Sequence, residues 1–210
     1  MAVAVDLKGR RVATREGRSY PYEHLLSSLP LPDLCRMSSD RELAAYADRL
    51  TWGATLCLNL GIRGAVPEAL EGVHWVYVAD RDIPFYRVGC YSNISRGTCA
   101  AGCHSLYVEV GADGAAVDRA DLARHVLPDA LEALAGLGWV DPGRVVCASL
   151  NAIACAYVHL TEEREALLEG LAGRLREDGV HLIGRYGRWD YTSMEDCILT
   201  AVRAAGELPP

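Results

Sequence analysis

The chain has almost no lysine: Lys8 is the only one among its 21 basic residues, and the rest are arginine. Against 28 acidic residues the formal charge is −7 at neutral pH, and the basic residues form no long run. That balance argues against a nucleic-acid surface or a polybasic membrane patch. No stretch approaches the ~20 uninterrupted apolar residues that a membrane span needs. Met1–Arg11 is a short alternating segment followed by charge, without a signal-peptide pattern. The expectation is a cytoplasmic protein with no membrane span. Internal repeats, low-complexity tracts and an obvious linker are missing as well.

What is present is apolar. Half of the 210 residues are hydrophobic and 23% are charged, which suits a packed core and excludes intrinsic disorder. The length fits one generous domain or two tight ones. The eight cysteines sit mostly in apolar runs such as Leu56-Cys57-Leu58 and Val146-Cys147-Ala148. Cysteine there behaves as a small buried hydrophobe, and free thiols are expected rather than a disulfide framework. The cluster Cys99, Cys103, His104 offers three soft ligands, but a structural zinc site needs four and no second close pair completes it. No metal is expected.

Along the chain, Ala2–Leu7, Arg11–Thr14 and the Tyr20–Tyr22 region read as strands joined by the turns Lys8-Gly9-Arg10 and Glu16-Gly17-Arg18. Leu25–Leu29 reads as a strand closed by Pro30 and Pro32, and 40–50 as a short amphipathic helix. Thr51–Ile62, Val73–Val78, Tyr86–Tyr91 and Ser105–Val110 read as strands of an antiparallel sheet covered on one face. Asp118 is expected to cap a helix carrying Leu122, Val126, Leu127, Leu131 and Leu134, kinked or split at Pro128. Val145–Leu150 is a further strand. A helix along Leu167, Leu171 and Leu175 stops at Gly179, and Val180–Ile183 is a short strand. Thr192 and Glu195 have the spacing of a capping box, opening a last helix along Ile198, Leu199, Val202 and Ala205. The fold class is α+β, with a large, mostly antiparallel mixed sheet and flanking helices.

The densest chemistry lies in Ile183–Asp196, a strand that passes through a glycine-punctuated turn into a capped helix. Glycines admit close backbone approach, and free amides at a helix N-terminus favour an anion. Arg185 suits a phosphate, while Tyr186, Trp189 and Tyr191 can cover a planar ring. The plainer alternative is a surface turn whose aromatics cap the core. Elsewhere Tyr86-Arg87 can meet an anionic substrate or end a strand in solvent. His74, His104 and His159 read as structural histidines, and Asn59 as a residue bonding backbone at a strand bend.

The run Gly184–Ile198 resembles the C-terminal flavin-contacting motif of the FAD-dependent amine-oxidase-like proteins, which include protoporphyrinogen-oxidase-like and UDP-galactopyranose-mutase-like members. In the same order, Tyr22–Leu31 resembles their strand leading into an apolar turn. Leu58–Gly61, His74–Tyr77 and Pro84–Gly89 resemble their substrate-domain sheet, so the similarity covers nearly the whole chain. The resemblance implies FAD contacts at Gly184, Arg185, Tyr186, Gly187, Trp189, Tyr191, Ser193, Met194 and Asp196, and substrate contacts at Tyr86 and Arg87. It names no catalytic residue. It implies three parts: 1–30 joining to an FAD domain, 31–178 of substrate-domain type, and 179–210 contacting flavin.

Two departures stand out. The G-x-G-x-x-G turn with which that family holds the FAD pyrophosphate is absent from these 210 residues, and Thr200 stands where the family more often has glycine. The expectation is therefore part of a flavin-dependent oxidoreductase acting on a small molecule, with FAD bound only alongside a separately encoded dinucleotide-binding half. The alternatives are a truncated, non-catalytic binding module on the same scaffold, or UDP-sugar mutase-like activity.

Overall fold

Three short antiparallel strands open the fold: β1 (Ala2–Asp6), β2 (Arg11–Thr14) and β3 (Ser19–Pro21), in the order β1-β2-β3. They come from a computed structural model whose described residues are 1–38, 40–113 and 119–209, with side chains described outside 113–125. The chain divides into two units. One comprises Met1–Thr51 with Tyr157–Pro210, and the other Trp52–Ala156.

In the first unit, β4 (Leu25–Ser27) leads into α1 (Leu31–Met37) and α2 (Arg41–Ala47). Pro30 and Pro32 open α1 rather than merely ending the strand, because a proline in the first turn gives up no helical hydrogen bond. Asp40 caps α2 by accepting from the amides of Glu42 and Leu43, and it also receives the guanidinium of Arg174. That arginine lies on α5 (Arg164–Glu177), whose Leu167, Leu171 and Leu175 are buried. Gly179 follows with φ +79°, and β10 (Val180–Leu182) then pairs in parallel with β4. The unit ends in α6 (Gly184–Gly187), a single turn, and α7 (Met194–Gly206).

The second unit is built on a five-stranded sheet in the order β6-β7-β8-β5-β9. Its strands are β5 (Trp52–Arg63), β6 (Trp75–Tyr77), β7 (Arg87–Cys90), β8 (Cys103–Asp113) and β9 (Val145–Val158), the last running on past the unit boundary. α3 (Tyr91–Ile94) follows β7, and α4 (Arg119–Gly136) follows β8. Leu58, Leu60, Ile62, Val88, Leu106 and Val108 turn one face of the sheet into a buried core with Ala130 and Leu134 of α4. The period-two pattern read from the sequence is this face. Pro128 lies inside α4, which is assigned as one continuous helix; the expected cap Asp118 and the side chain of Leu122 fall outside the described residues. β9 runs eight residues past the expected end at Leu150.

The architecture is thus α+β, with antiparallel sheets and flanking helices. The antiparallel pairing is split between the five-stranded sheet and the β1–β3 meander, and β4–β10 forms a separate parallel pair.

Candidate functional site

The turn after β10 is fixed by backbone. Ile183 donates to the carbonyl of Ser27 at 3.0 Å, Arg188 to Gly184 at 3.1 Å and Asp190 to Arg185 at 2.9 Å. Gly187 is packed against β4, where a Cβ would stand 2.4 Å from the carbonyl oxygen of Ser27. One close backbone approach at this glycine is to Ser27, a contact within the chain.

Trp189 has φ +52° and is 1% exposed. A non-glycine residue in the left-handed region costs roughly 1–2 kcal/mol. The surroundings hold it there: the indole is buried, and Arg164 Nε donates to its carbonyl at 2.7 Å while pairing with Asp190 at 3.0 Å. Trp189 thus sits in the packing of the unit, while Tyr157, Tyr186 and Tyr191 are the rings beside Arg185.

Arg185 is the unusual group. Its guanidinium carbon lies 4.3 Å from the ring centroid of Tyr191, 5.2 Å from that of Tyr157 and 5.9 Å from that of Tyr186. Tyr157 and Tyr191 stack at 5.9 Å with 21° between their planes. Inside this aromatic setting Nε and Nη2 are buried without a hydrogen-bond partner among the described residues. A buried donor left unmade costs about 1–3 kcal/mol or more when charged, so a guanidinium placed this way suits an acceptor that the chain does not itself supply.

The helix that follows begins one residue later than the sequence suggests. Ser193, rather than Thr192, is the N-cap. Its Oγ accepts from the Asp196 amide at 3.1 Å, and its own amide donates to Asp196 Oδ2 at 2.9 Å. The amide and hydroxyl of Ser193 hold the Asp196 carboxyl below its ordinary range. Thr192 instead places its hydroxyl 3.6 Å from Cys197 Sγ. Met194, the first residue of α7, is 86% exposed. Gly184, Arg185, Tyr186, Gly187, Tyr191, Ser193 and Asp196 are therefore gathered on one turn and helix start.

Tyr86 and Arg87 lie in the second unit, on the sheet face away from the core. Arg87 pairs with Glu109, to which the Tyr86 hydroxyl also donates. Arg87 further donates to Tyr77 Oη at 3.3 Å and lies 5.8 Å from the ring of Tyr107. Thr55 Oγ1 is 3.3 Å from Tyr86 Oη. Glu109, Tyr107, Thr55 and Tyr77 were not singled out from the sequence. The pairing that gathers them (Arg87 with Glu109, Gly89 with Tyr107, Cys57 with Glu109) is set by register across three strands. Gly89 leaves room for the Tyr107 ring, which occupies the position where a Cβ would be. Burial raises the Tyr107 and Tyr91 phenols, and burial followed by Glu109 raises the Cys57 thiol. These groups stay neutral near pH 7, so among the described residues Arg87–Glu109 is the ion pair of this face.

The remaining sequence candidates are structural in their contacts. His104 Nδ1 is 3.0 Å from the Gly64 carbonyl, His159 Nδ1 is 3.0 Å from Thr51 Oγ1, and Cys99 Sγ donates to the Cys103 carbonyl at 3.1 Å. All eight cysteines are unbridged, and no three potential metal ligands come together among the described residues. No helix of the described residues is long and apolar enough to cross a membrane.

The sequence profile of the flavin containing amine oxidoreductases matches residues 2–209. Among solved structures, a reduced UDP-galactopyranose mutase is 25% identical, with a TM-score of 0.83 over 91% of this chain and 41% of its own. A protein from Exiguobacterium sp. 255-15 assigned as a protoporphyrinogen oxidase is 17% identical, with a TM-score of 0.67 over 94% of this chain and 43% of its own. A fatty acid isomerase from P. acnes that produces CLA is 12% identical, with a TM-score of 0.65 over 99% and 47%. The chain spans less than half the length of each.

Proposed function

We propose a function from one premise: the chain belongs to the flavin containing amine oxidoreductase family, whose profile it matches over residues 2–209. It acts as the part of an FAD-dependent oxidoreductase that supplies one edge of the flavin site and a substrate-facing sheet. A separately encoded dinucleotide-binding half supplies the rest. The observation that carries this reading is Arg185, a half-buried guanidinium whose Nε and Nη2 are buried without a partner among the described residues, just ahead of a helix N-terminus in the chain.

These residues fit the group. Arg185 Nε and Nη2 would meet a phosphate or another electron-rich oxygen, the α7 amides would add partial positive charge, and Tyr186 and Tyr191 would border the flavin. When bound, the flavin supplies redox chemistry that the side chains lack. Gly187 keeps the turn tight against Ser27, Trp189 anchors it, and the Ser193–Asp196 cap leaves the start of α7 ordered. On the other unit Tyr77, Tyr86 and Tyr107 would contact a small substrate around an Arg87 whose charge Glu109 already balances. Arg87 thereby serves as a positioned donor more than as a bare cation.

A second reading is favoured by the 25% identity to UDP-galactopyranose mutase: mutase-like chemistry on a nucleotide sugar, in which the same turn would hold reduced flavin.

The test is flavin retention by this chain co-expressed with a dinucleotide-binding half. Arg185→Ala should lower flavin affinity at least ~10-fold, the scale of losing a hydrogen-bonded charge of about 1.5–3 kcal/mol. Unchanged affinity would remove Arg185 from the cofactor site.

A further inference from the structure

We infer that the outer edge of β9 is an interface between two copies of this chain, which pair there antiparallel about a two-fold axis and join their five-stranded sheets into one. β9 ends the strand order β6-β7-β8-β5-β9. Its inner side meets β5. Trp52 Nε1 donates to the Ala154 carbonyl at 2.9 Å, and Gly61 leaves room for Cys147, whose Sγ stands 2.6 Å from where a Cβ would be. No described strand lies on the outer side.

Edge strands are ordinarily short, charged or interrupted by proline, because their unpaired backbone groups otherwise draw in another chain. β9 has none of these safeguards. It is 14 residues long, and Val145–Val158 contains no Asp, Glu, Lys, Arg, Pro or Gly. Every other described strand longer than three residues carries at least one charge, including β5 and β8, which have neighbours on both sides. On β9 Val146 is 51% and Ile153 44% exposed. The strand has the composition of a sheet interior at the position of an edge, and a further strand completes it.

Length and charge identify the occupant. The other open edges of the described sheets are β1, β3, β4, β6 and β10, of three to five residues each. Among the described residues, only β9 of a second copy matches this edge along its whole length. Two neutral strands also meet without burying a charge, whereas the copies, at −7 each, repel one another over the rest of their surfaces. The same edge serves both copies, so the pairing closes at a dimer. At about 3.4 Å per residue the contact is about 48 Å long, and with a sheet about 10 Å thick its section is about 480 Å² on each copy. The two together come to about 1,000 Å², the lower limit of a specific interface. The dimer is therefore reversible and dissociates on dilution.

The experiment follows sedimentation of the full chain under reducing conditions, at loading concentrations of about 1 to 200 μM, where a contact of this size associates. The parent should pass from one chain to two and no further. Val146→Lys with Ile153→Lys puts onto the edge charges that both copies repeat, and should weaken association at least ~10-fold. Val202→Lys, on α7 and also exposed, should leave it unchanged. Thermal unfolding shows that each variant folds; if the double variant does not, Ile153→Lys alone is read. Hydrogen exchange locates the contact, with the amides of 145–154 gaining protection as the dimer forms. A parent that stays monomeric throughout or grows beyond a dimer overturns the assignment. So does association that the edge lysines leave intact, that Val202→Lys weakens, or that protects no amide of 145–154.

Discussion

The guanidinium of Arg185 lies 4.3 Å from the ring centroid of Tyr191, with Nε and Nη2 buried and unsatisfied among the described residues. Its contacts with the rings of Tyr157, Tyr186 and Tyr191 contribute about 0.5–2 kcal/mol, which the cost of about 1–3 kcal/mol for leaving buried donors unmade offsets. Arg185→Met keeps the packing volume and removes the unmet donors. It should therefore leave the melting temperature of the isolated chain unchanged or slightly higher, measured by circular dichroism. A fall of several degrees would make Arg185 a stabilising residue of the turn.

Gly187 behaves oppositely. With only 2.4 Å between a Cβ and the Ser27 carbonyl oxygen, Gly187→Ala should push β4 and the turn apart and cost about 1–3 kcal/mol. For a protein of this size that lowers the melting temperature by roughly 2–4 °C per kcal/mol. Beside the flavin contact expected at this glycine, the packing against Ser27 makes it a structural position too, so substitution here is expected to lower stability as well as flavin affinity.

In the other unit Leu58 is 1% exposed within the sheet core, beside Leu60, Leu106 and Val108. Leu58→Ala should cost roughly 2–5 kcal/mol, read from the midpoint of urea unfolding. A cost below 1 kcal/mol would contradict the packing described.

His24 Nδ1 and His181 Nε2 are 3.1 Å apart. Burial, with His24 and Arg176 adding to it, holds His181 below the ordinary histidine range. The unfolded chain therefore binds a proton at this site more readily than the folded one. This contribution to stability is present above the unfolded pKa of about 6.5 and is lost as pH falls below it. Unfolding midpoints at pH 7.5 and 5.5 should differ more for the parent than for His181→Gln. Equal slopes would remove the pair from the pH dependence.

Much of this was legible in the sequence because it is local. Period-two runs announced β5 and β8, the apolar positions among the charges of 40–50 announced α2, and the Gly-Arg-Tyr-Gly run marked the turn that holds Arg185. What was not legible depends on long-range register. Glu109 meets Arg87 only because β7 and β8 pair antiparallel, and Gly187 meets Ser27 only because β10 runs beside β4. The α7 cap shifted by one residue because Ser193 and Asp196 satisfy each other as fully as any Thr192–Glu195 pair would. The buried Trp189 carries no local sign of burial, since its neighbours Arg188 and Asp190 are charged and the bond from Arg164 to its carbonyl comes from a distant helix.

The central claim is that this chain holds one edge of a flavin site and not the whole. Its most direct test is the visible absorbance of the protein after incubation with FAD and desalting, alone and then with the dinucleotide-binding half. The account predicts no stoichiometric flavin band for the chain by itself and a band that appears with the pair. A stoichiometric yellow band on the isolated chain would contradict it.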